Sequence, residues 1–88
     1  MSVHKEISAH SRKQHAILKD FLKLDALRES YIEEAVGRCK QGLAFSTTKI
    51  NEVTNKINEL AKQGVVPQRQ LVTEEMIIEY VERVKAGS

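Results

Sequence analysis

The chain has few residues that interrupt helices and few aromatic side chains. There is one proline, Pro67, and there are four glycines among 88 residues. Because helices tolerate these two residue types least, their scarcity predicts long uninterrupted helices. Tryptophan is absent, so the core must be largely aliphatic and few side chains can stack on nucleic-acid bases. The four aromatic residues are Phe21, Tyr31, Phe45 and Tyr80.

The sequence also lacks the features of secreted and membrane proteins. Cys39 is the single cysteine, which excludes a disulfide within the chain. The opening stretch MSVHKEIS is polar from the start, unlike a signal peptide. No apolar run approaches the roughly 18 residues that a membrane span requires. These observations predict a cytoplasmic protein, and the balance of 14 basic against 12 acidic residues does not by itself indicate a nucleic-acid ligand.

A first helix is predicted over most of residues 2–41, where Gly37 is the one glycine and no proline occurs. Apolar residues recur at steps of three and four, the period of an amphipathic helix. Two interpretations remain: one helix of nearly forty residues, or two near-collinear helices that break at Asp25. The continuous phase of the apolar side favours one helix, and Gly42 is placed to end it.

Two shorter helices are predicted after it. Ser46 is a suitable N-cap for the second, with Phe45 packing on Ile50, and that helix should run to about Gln63. A connector around Pro67 follows, with room for a short strand at Leu71–Val72. Thr73 should cap the last helix. The predicted fold is therefore all-α, a single domain over residues 1–88 in which a long N-terminal helix, or two near-collinear ones, packs with two shorter helices in a bundle-like arrangement.

The second helix contains the sequence KINE twice, seven residues apart. This heptad spacing predicts that Ile50, Val53, Ile57 and Leu60 form its buried side. Asparagines lie next to that side at i, i+4 and i+7. Asparagine is a mediocre helix former, and its amide can bind bases or a partner backbone. We nevertheless expect a solvated, dispensable face, comprising Asn51, Asn55 and Asn58.

Few constellations with chemical potential are present. The histidines His4, His10 and His15 are spaced six and five residues apart, which does not match the i, i+3 or i+4 spacing of metal ligands on a helix. Cys39 lies on the apolar side and is expected to be a core residue. No phosphate-binding glycine motif occurs among the isolated glycines. The sequence therefore predicts no catalytic residues, no metal site and no cofactor, and a protein that is not an enzyme.

Two surfaces of the first helix are candidate binding sites. Its apolar side is interrupted by polar residues, which predicts a homodimer with the first helices paired around a two-fold axis through Ile7, His10, Gln14, Ile17 and Phe21. The opposite side carries basic residues within about 40° on the helical wheel, which could follow phosphates: Lys5, Arg12, Lys19 and Lys23. A structural or regulatory protein–protein interaction module is therefore predicted, with nucleic-acid binding as the alternative.

Four stretches of the chain carry a resemblance to a known family. They are SVHKEI, HSRKQH, INELAKQGVVPQRQ and VTEEMIIEYVER. In these, and over its whole length, the sequence resembles a family of small uncharacterised proteins from bacilli, a domain of unknown function. The resemblance implies a short bacterial cytosolic protein without an assigned activity. It implies no catalytic or binding residues.

Overall fold

The computed structural model describes the backbone of residues 2–87 and the side chains of residues 11–87. Within these residues the chain forms three helices and no strand: α1 at Ser2–Lys40, α2 at Thr48–Ala61 and α3 at Glu74–Ala86. The prediction of an all-α fold is confirmed. Residues 2–40 form one helix, about 58 Å long at 1.5 Å per residue, rather than two.

Gly42 ends α1 as predicted. Its φ of 73° lies in the left-handed region, which glycine adopts without steric cost. This turn lets the Leu43 N–H donate to the Arg38 carbonyl at 2.9 Å and the Gly42 N–H to the Cys39 carbonyl at 3.1 Å. These two bonds constitute a Schellman motif, which satisfies carbonyl groups that the helix end would otherwise leave unpaired.

The start of α2 differs from the prediction. The helix begins at Thr48 after Thr47, whose side chain makes no capping bond. The Ser46 hydroxyl instead accepts from the Thr48 N–H at 3.1 Å, which closes a local turn one residue before the helix. Thr73 caps α3 as expected, because its hydroxyl accepts from the Met76 N–H at 3.2 Å.

The core consists of two clusters arranged along α1. The first joins α1 to the C-terminal part of α2 and the second joins α1 to the start of α2 and to α3. The chain is correspondingly elongated, 61 × 25 × 16 Å. The first cluster contains Ile17, Phe21, Val53, Ile57 and Val66, and the second contains Ala35, Ile50, Val72 and Ile77.

The repeat in α2 packs as its heptad spacing predicts. Ile50, Val53 and Ile57 are buried, and Leu60 lies half-buried at the edge of the first cluster. Cys39 is half-buried against the second cluster. None of the helices in the described part of the chain has the length and apolar character of a membrane-spanning segment.

Candidate helix-docking groove

The segment between α2 and α3, residues 62–73 (the connector), is held by two asparagines of α2. The Asn51 amide donates to the Val72 carbonyl at 2.9 Å and accepts from the Val72 N–H at 2.8 Å. Asn58 makes the same pair of bonds to Arg69, at 3.0 and 2.8 Å. Each side-chain amide therefore satisfies both backbone groups of one connector residue, as a neighbouring strand would. We call these four bonds the asparagine clamp.

The clamp works because two spacings match. Asn51 and Asn58 are seven helical residues apart, about 10.5 Å along the axis of α2. Val72 and Arg69 are three residues apart, about 10 Å in an extended chain. The residue nearer the start of α2 binds the later connector residue. The connector therefore runs antiparallel to α2.

The clamp corrects two predictions. Asn51 and Asn58 do not belong to a solvated face, although Asn55 between them is exposed. The predicted strand at Leu71–Val72 is also absent, since helix side chains take the place of a pairing strand. The one sequence signal is that asparagine, a poor helix former, recurs at i and i+7 on α2 before an extended segment, and this pattern is also compatible with a solvated face.

Arg28 of α1 forms hydrogen bonds with both α2 and the connector. Its Nε donates to the Thr54 hydroxyl at 2.8 Å, and its Nη2 donates to the Gln70 carbonyl at 2.7 Å. Thr54 is fully buried and donates to the Ile50 carbonyl at 2.8 Å. One guanidinium thus joins α1, α2 and the connector. Hydrogen bonds from a charged donor such as this guanidinium are stronger than hydrogen bonds between two neutral groups.

A second bridge lies one turn earlier on α1. The Arg69 guanidinium donates to Asp25 at 3.1 and 3.4 Å, one nitrogen to each carboxylate oxygen. Its central carbon lies 5.3 Å from the ring centre of Phe21, a cation–π contact. Asp25 was a candidate helix break in the sequence. In the structure it lies within α1, and its carboxylate binds the connector.

These contacts fix the place at which α3 begins, and a groove remains between α3 and the C-terminal half of α1. Its volume is about 920 Å³. Met76 and Tyr80 on α3 are 39% and 50% exposed along it, although both are large apolar or aromatic residues. Its floor and walls comprise Arg28, Glu29, Ile32, Glu33, Val36, Gly37, Lys40, Val72, Met76, Ile77, Glu79, Tyr80 and Arg83. We call this the docking groove.

A smaller groove of about 630 Å³ lies beside α1 at the start of α2. The loop before α2 forms part of its wall, where Arg38 binds the Ala44 carbonyl at 3.3 Å. The Lys49 ammonium lies 5.6 Å from the ring centre of Tyr31 on another wall. This groove offers fewer exposed apolar side chains than the docking groove, since Phe45 packs against the second core cluster.

Next to the side of α1 that α2 covers, the N-terminal half of this helix carries two large apolar side chains that remain largely exposed among the described residues. Leu18 and Leu22, one turn apart, are 43% and 57% exposed. We call this pair the leucine ridge. Leu18 lies eighteen residues before Val36, which is five helical turns. The ridge and the α1 wall of the docking groove therefore lie on the same side of one helix.

Two residues of the predicted self-association surface lie in the core of the single chain. Ile17 and Phe21 are buried in the first core cluster against Val53 and Ile57, so they are not available at a surface while the chain keeps this fold. The apolar period located the buried side of α1 correctly, but α2 of the same chain covers it. Gln14 is exposed. Ile7 and His10 lie outside the residues whose side chains the structure describes.

The predicted basic surface is partly described. Arg12, Lys19 and Lys23 are all exposed on α1. Their spacing of seven and four residues places them on one side over about 17 Å. Lys5 lies outside the described side chains. His15 is exposed, and residues 11–87 contain no cluster of three or more histidine, cysteine or acidic side chains that could hold a metal ion.

The architecture defines a class of small all-α protein. In it, two asparagines of α2 hold the connector, and the connector places the short helix α3 against the long helix α1. The chain matches the family model described as "Protein of unknown function (DUF2533)" over residues 1–83, and it belongs to that family. The resemblance predicted from the sequence is thus confirmed.

A relative from Bacillus subtilis (strain 168) is similar along nearly its whole length. It is the "Uncharacterized protein YpbS", which is 52% identical over 82 residues. The match covers 93% of this chain and 96% of the relative. No solved structure matches the chain.

Proposed function

We propose that this protein is a non-enzymatic interaction module of the cytoplasm, structural or regulatory, which binds a helix of a protein partner in the docking groove. The observation that carries the proposal is the exposure of Met76 and Tyr80 on the same side of α3. They lie opposite Ile32 and Val36 of α1, so the groove has apolar residues on both walls. Recognition of an amphipathic helix uses such a groove.

Charges around the groove suit a helix better than a small apolar molecule. Exposed charged residues of both signs line it: Glu29, Glu33, Glu79, Lys40 and Arg83. A helix with an apolar stripe and charged flanks could place its apolar residues between the walls and pair its flanks with these charged residues. An open groove lined by charged residues offers little enclosure for a small ligand, which typically buries most of its surface.

Photo-crosslinking tests the proposal directly. A benzophenone amino acid replaces Tyr80 in the groove, and in a matched chain it replaces Lys56, which is exposed on α2. We expect ultraviolet light to produce a discrete protein adduct in cells from the Tyr80 position and not from the Lys56 position. If neither position gives an adduct, or both give the same diffuse products, the proposal is wrong.

Nucleic-acid binding is the second candidate, favoured by the exposure of Arg12, Lys19 and Lys23 on one side of α1. Together with Lys5, four cations could neutralise four phosphates. The logarithm of the binding constant for duplex DNA should then fall with the logarithm of salt concentration at a slope of about −3.6. Fluorescence anisotropy at several salt concentrations measures this slope. A slope near zero, or binding that persists after all four residues are replaced by Gln, contradicts this alternative.

A further inference from the structure

We propose that the helix bound in the docking groove is the N-terminal half of α1 from a second copy of this chain, so that two copies form an antiparallel dimer in which each leucine ridge lies in the other's groove. The inference rests on the proposed function and names its partner. Three observations support it: the position of the two surfaces on α1, the distribution of charge, and an unexplained glycine.

The first observation is that the leucine ridge and the α1 wall of the docking groove share one side of α1. A two-fold axis perpendicular to α1, placed between them, brings the ridge of each copy to the groove of the other. The contact then occurs twice and the assembly closes. No further copies can add through these surfaces. A head-to-tail arrangement would leave one ridge and one groove open.

The second observation is the opposite charge of the two halves. Residues 11–23 contain four basic residues and one acidic residue, a net charge of +3. Residues 25–36 contain one basic and four acidic residues, a net charge of −3. Antiparallel pairing places each positive stretch on a negative one, whereas parallel pairing places like on like. The helix dipoles also oppose each other only in the antiparallel pair.

This arrangement predicts a specific ion pair. In an antiparallel pair of helices, residues on the same flank of the two helices face each other. Lys19 flanks the leucine ridge, and Glu33 lies on the corresponding flank of the groove. With the axis midway between these two positions, Lys19 of each copy faces Glu33 of the other. Both side chains are exposed in the single chain, and neither has an ion pair among the described residues.

The third observation is Gly37, which lies inside α1 and lines the docking groove. Glycine within a helix is less favourable than alanine by about 1 kcal/mol. A Cβ placed at Gly37 would meet nothing within 4 Å, and φ is not positive there, so the fold of one chain does not require glycine. Gly37 is five turns after Lys19 and therefore lies on the same flank of α1 as Lys19, where the lack of a side chain leaves room for a helix in the groove.

Charge reversal tests the arrangement. Sedimentation velocity on the full chain compares wild type, Lys19→Glu, Glu33→Lys and an equimolar mixture of the two variants. We expect wild type to reach twice its 10.0 kDa mass at high concentration. Each variant places like charges together at both contacts, so its dimer should dissociate about tenfold more readily. In the mixture, a dimer of one variant with the other has opposite charges at both contacts and should regain the wild-type constant.

A pair of leucine variants provides the matched control. Leu22 and Leu43 are similarly exposed, at 57% and 51%, but Leu43 lies in the loop after α1. Leu22→Gln should weaken the dimer about tenfold or more, because the contact is lost twice. Leu43→Gln should leave it unchanged. Equal effects of the two substitutions contradict the arrangement.

Other outcomes overturn the inference while leaving the proposed function open to its own test. A wild-type chain that stays monomeric at about 1 mM, a concentration that detects even weak binding, excludes the dimer. A dimer that both charge variants leave unchanged, or that the mixture fails to restore, excludes the antiparallel arrangement. If the chain is monomeric but Tyr80 still crosslinks a different protein, the groove is a docking site and its occupant is not a second copy.

Discussion

The two halves of α1 have the same apolar side but different surroundings. Residues 25–40 are covered by the start of α2 and by α3, and they form one wall of the docking groove. Residues 11–24 are covered by the C-terminal part of α2 and by Val66 of the connector but not by α3, so Ile17 and Phe21 are buried while Leu18 and Leu22 stay exposed. The difference shows that helical periodicity identifies the apolar residues, while the positions of α2 and α3 determine which of them become core.

The largest effects should come from the core beneath each half. Ile57 and Ile50 are 0% and 1% exposed, the first under residues 11–24 and the second under residues 25–40. We expect Ile57→Ala and Ile50→Ala each to lower the free energy of unfolding by about 2–5 kcal/mol. Denaturant titration followed by circular dichroism measures this. If one variant unfolds in two separate steps, the halves of α1 do not form one cooperative unit.

Removal of Asn51 from the clamp should have the next largest effect, confined to residues 25–40 of α1 and the parts of the chain that pack on them. Asn51→Ala leaves the N–H and carbonyl of the buried Val72 without their partners, which we expect to cost about 2–4 kcal/mol. Asn55→Ala is the matched control, since Asn55 is exposed on the same helix, and it should change stability by less than about 0.5 kcal/mol. Equal losses in the two variants would show that the clamp does not stabilise the fold.

Hydrogen exchange locates the effect of that substitution. The Val72 amide should exchange faster in the Asn51→Ala variant, together with amides of α3 that depend on the connector. Amides of residues 11–24 should be unaffected once the change in global stability is subtracted. Faster exchange spread evenly over α1 would indicate that the clamp acts on the whole fold rather than on one half.

Arg28→Met should have a smaller effect. The substitution keeps an unbranched apolar stem but removes the bonds to the Thr54 hydroxyl and the Gln70 carbonyl. Thr54 retains its bond to the Ile50 carbonyl, so we expect a cost of about 1–2 kcal/mol. Lys23→Met, at an exposed position among residues 11–24 of α1, is the control. Thermal melts that rank Lys23→Met below Arg28→Met would contradict the assignment.

The smallest effect has the opposite sign. Gly37→Ala should stabilise the single chain by about 0.5–1 kcal/mol, because the helix gains a better former and the new methyl group meets no neighbour. The measurement is a denaturant titration at low chain concentration, where no dimer forms. A loss of stability under those conditions would mean that α1 bends or packs at Gly37 in a way that the structure does not contain.

The sequence predicts the helices well because their signals are local. The continuous phase of the apolar residues over 2–40, the glycine after Gln41 and the cap at Thr73 are each signals that act within a few residues. The heptad in α2 likewise identifies Ile50 and Ile57 as core. The predicted start of α2 was too early, because the Ser46 hydroxyl accepts a hydrogen bond within a turn instead of capping the helix.

The clamp and the groove escaped prediction because they depend on contacts between distant residues. Asn51 is hydrogen-bonded to Val72, which lies 21 residues later in the sequence, and Asp25 is bonded to Arg69, which lies 44 residues later. Asparagine on a helix is compatible with either solvent or a backbone partner, and its spacing alone does not distinguish them. The burial of Ile17 and Phe21 within one chain, instead of between two, also depends on where α2 folds back.

The matched spacing in the clamp restricts how the chain length can vary among relatives. Between Arg69 and Val72 a single inserted or deleted residue would move one clamped residue about 3.3 Å along α2, out of reach of its asparagine. At the exposed residues Gln63 to Val65, which precede the buried Val66 and lie outside the clamp, an extra residue would only enlarge a surface loop, at small entropic cost. We therefore expect length changes in this family to collect on the α2 side of Arg69, and the three-residue step from Arg69 to Val72 to remain constant.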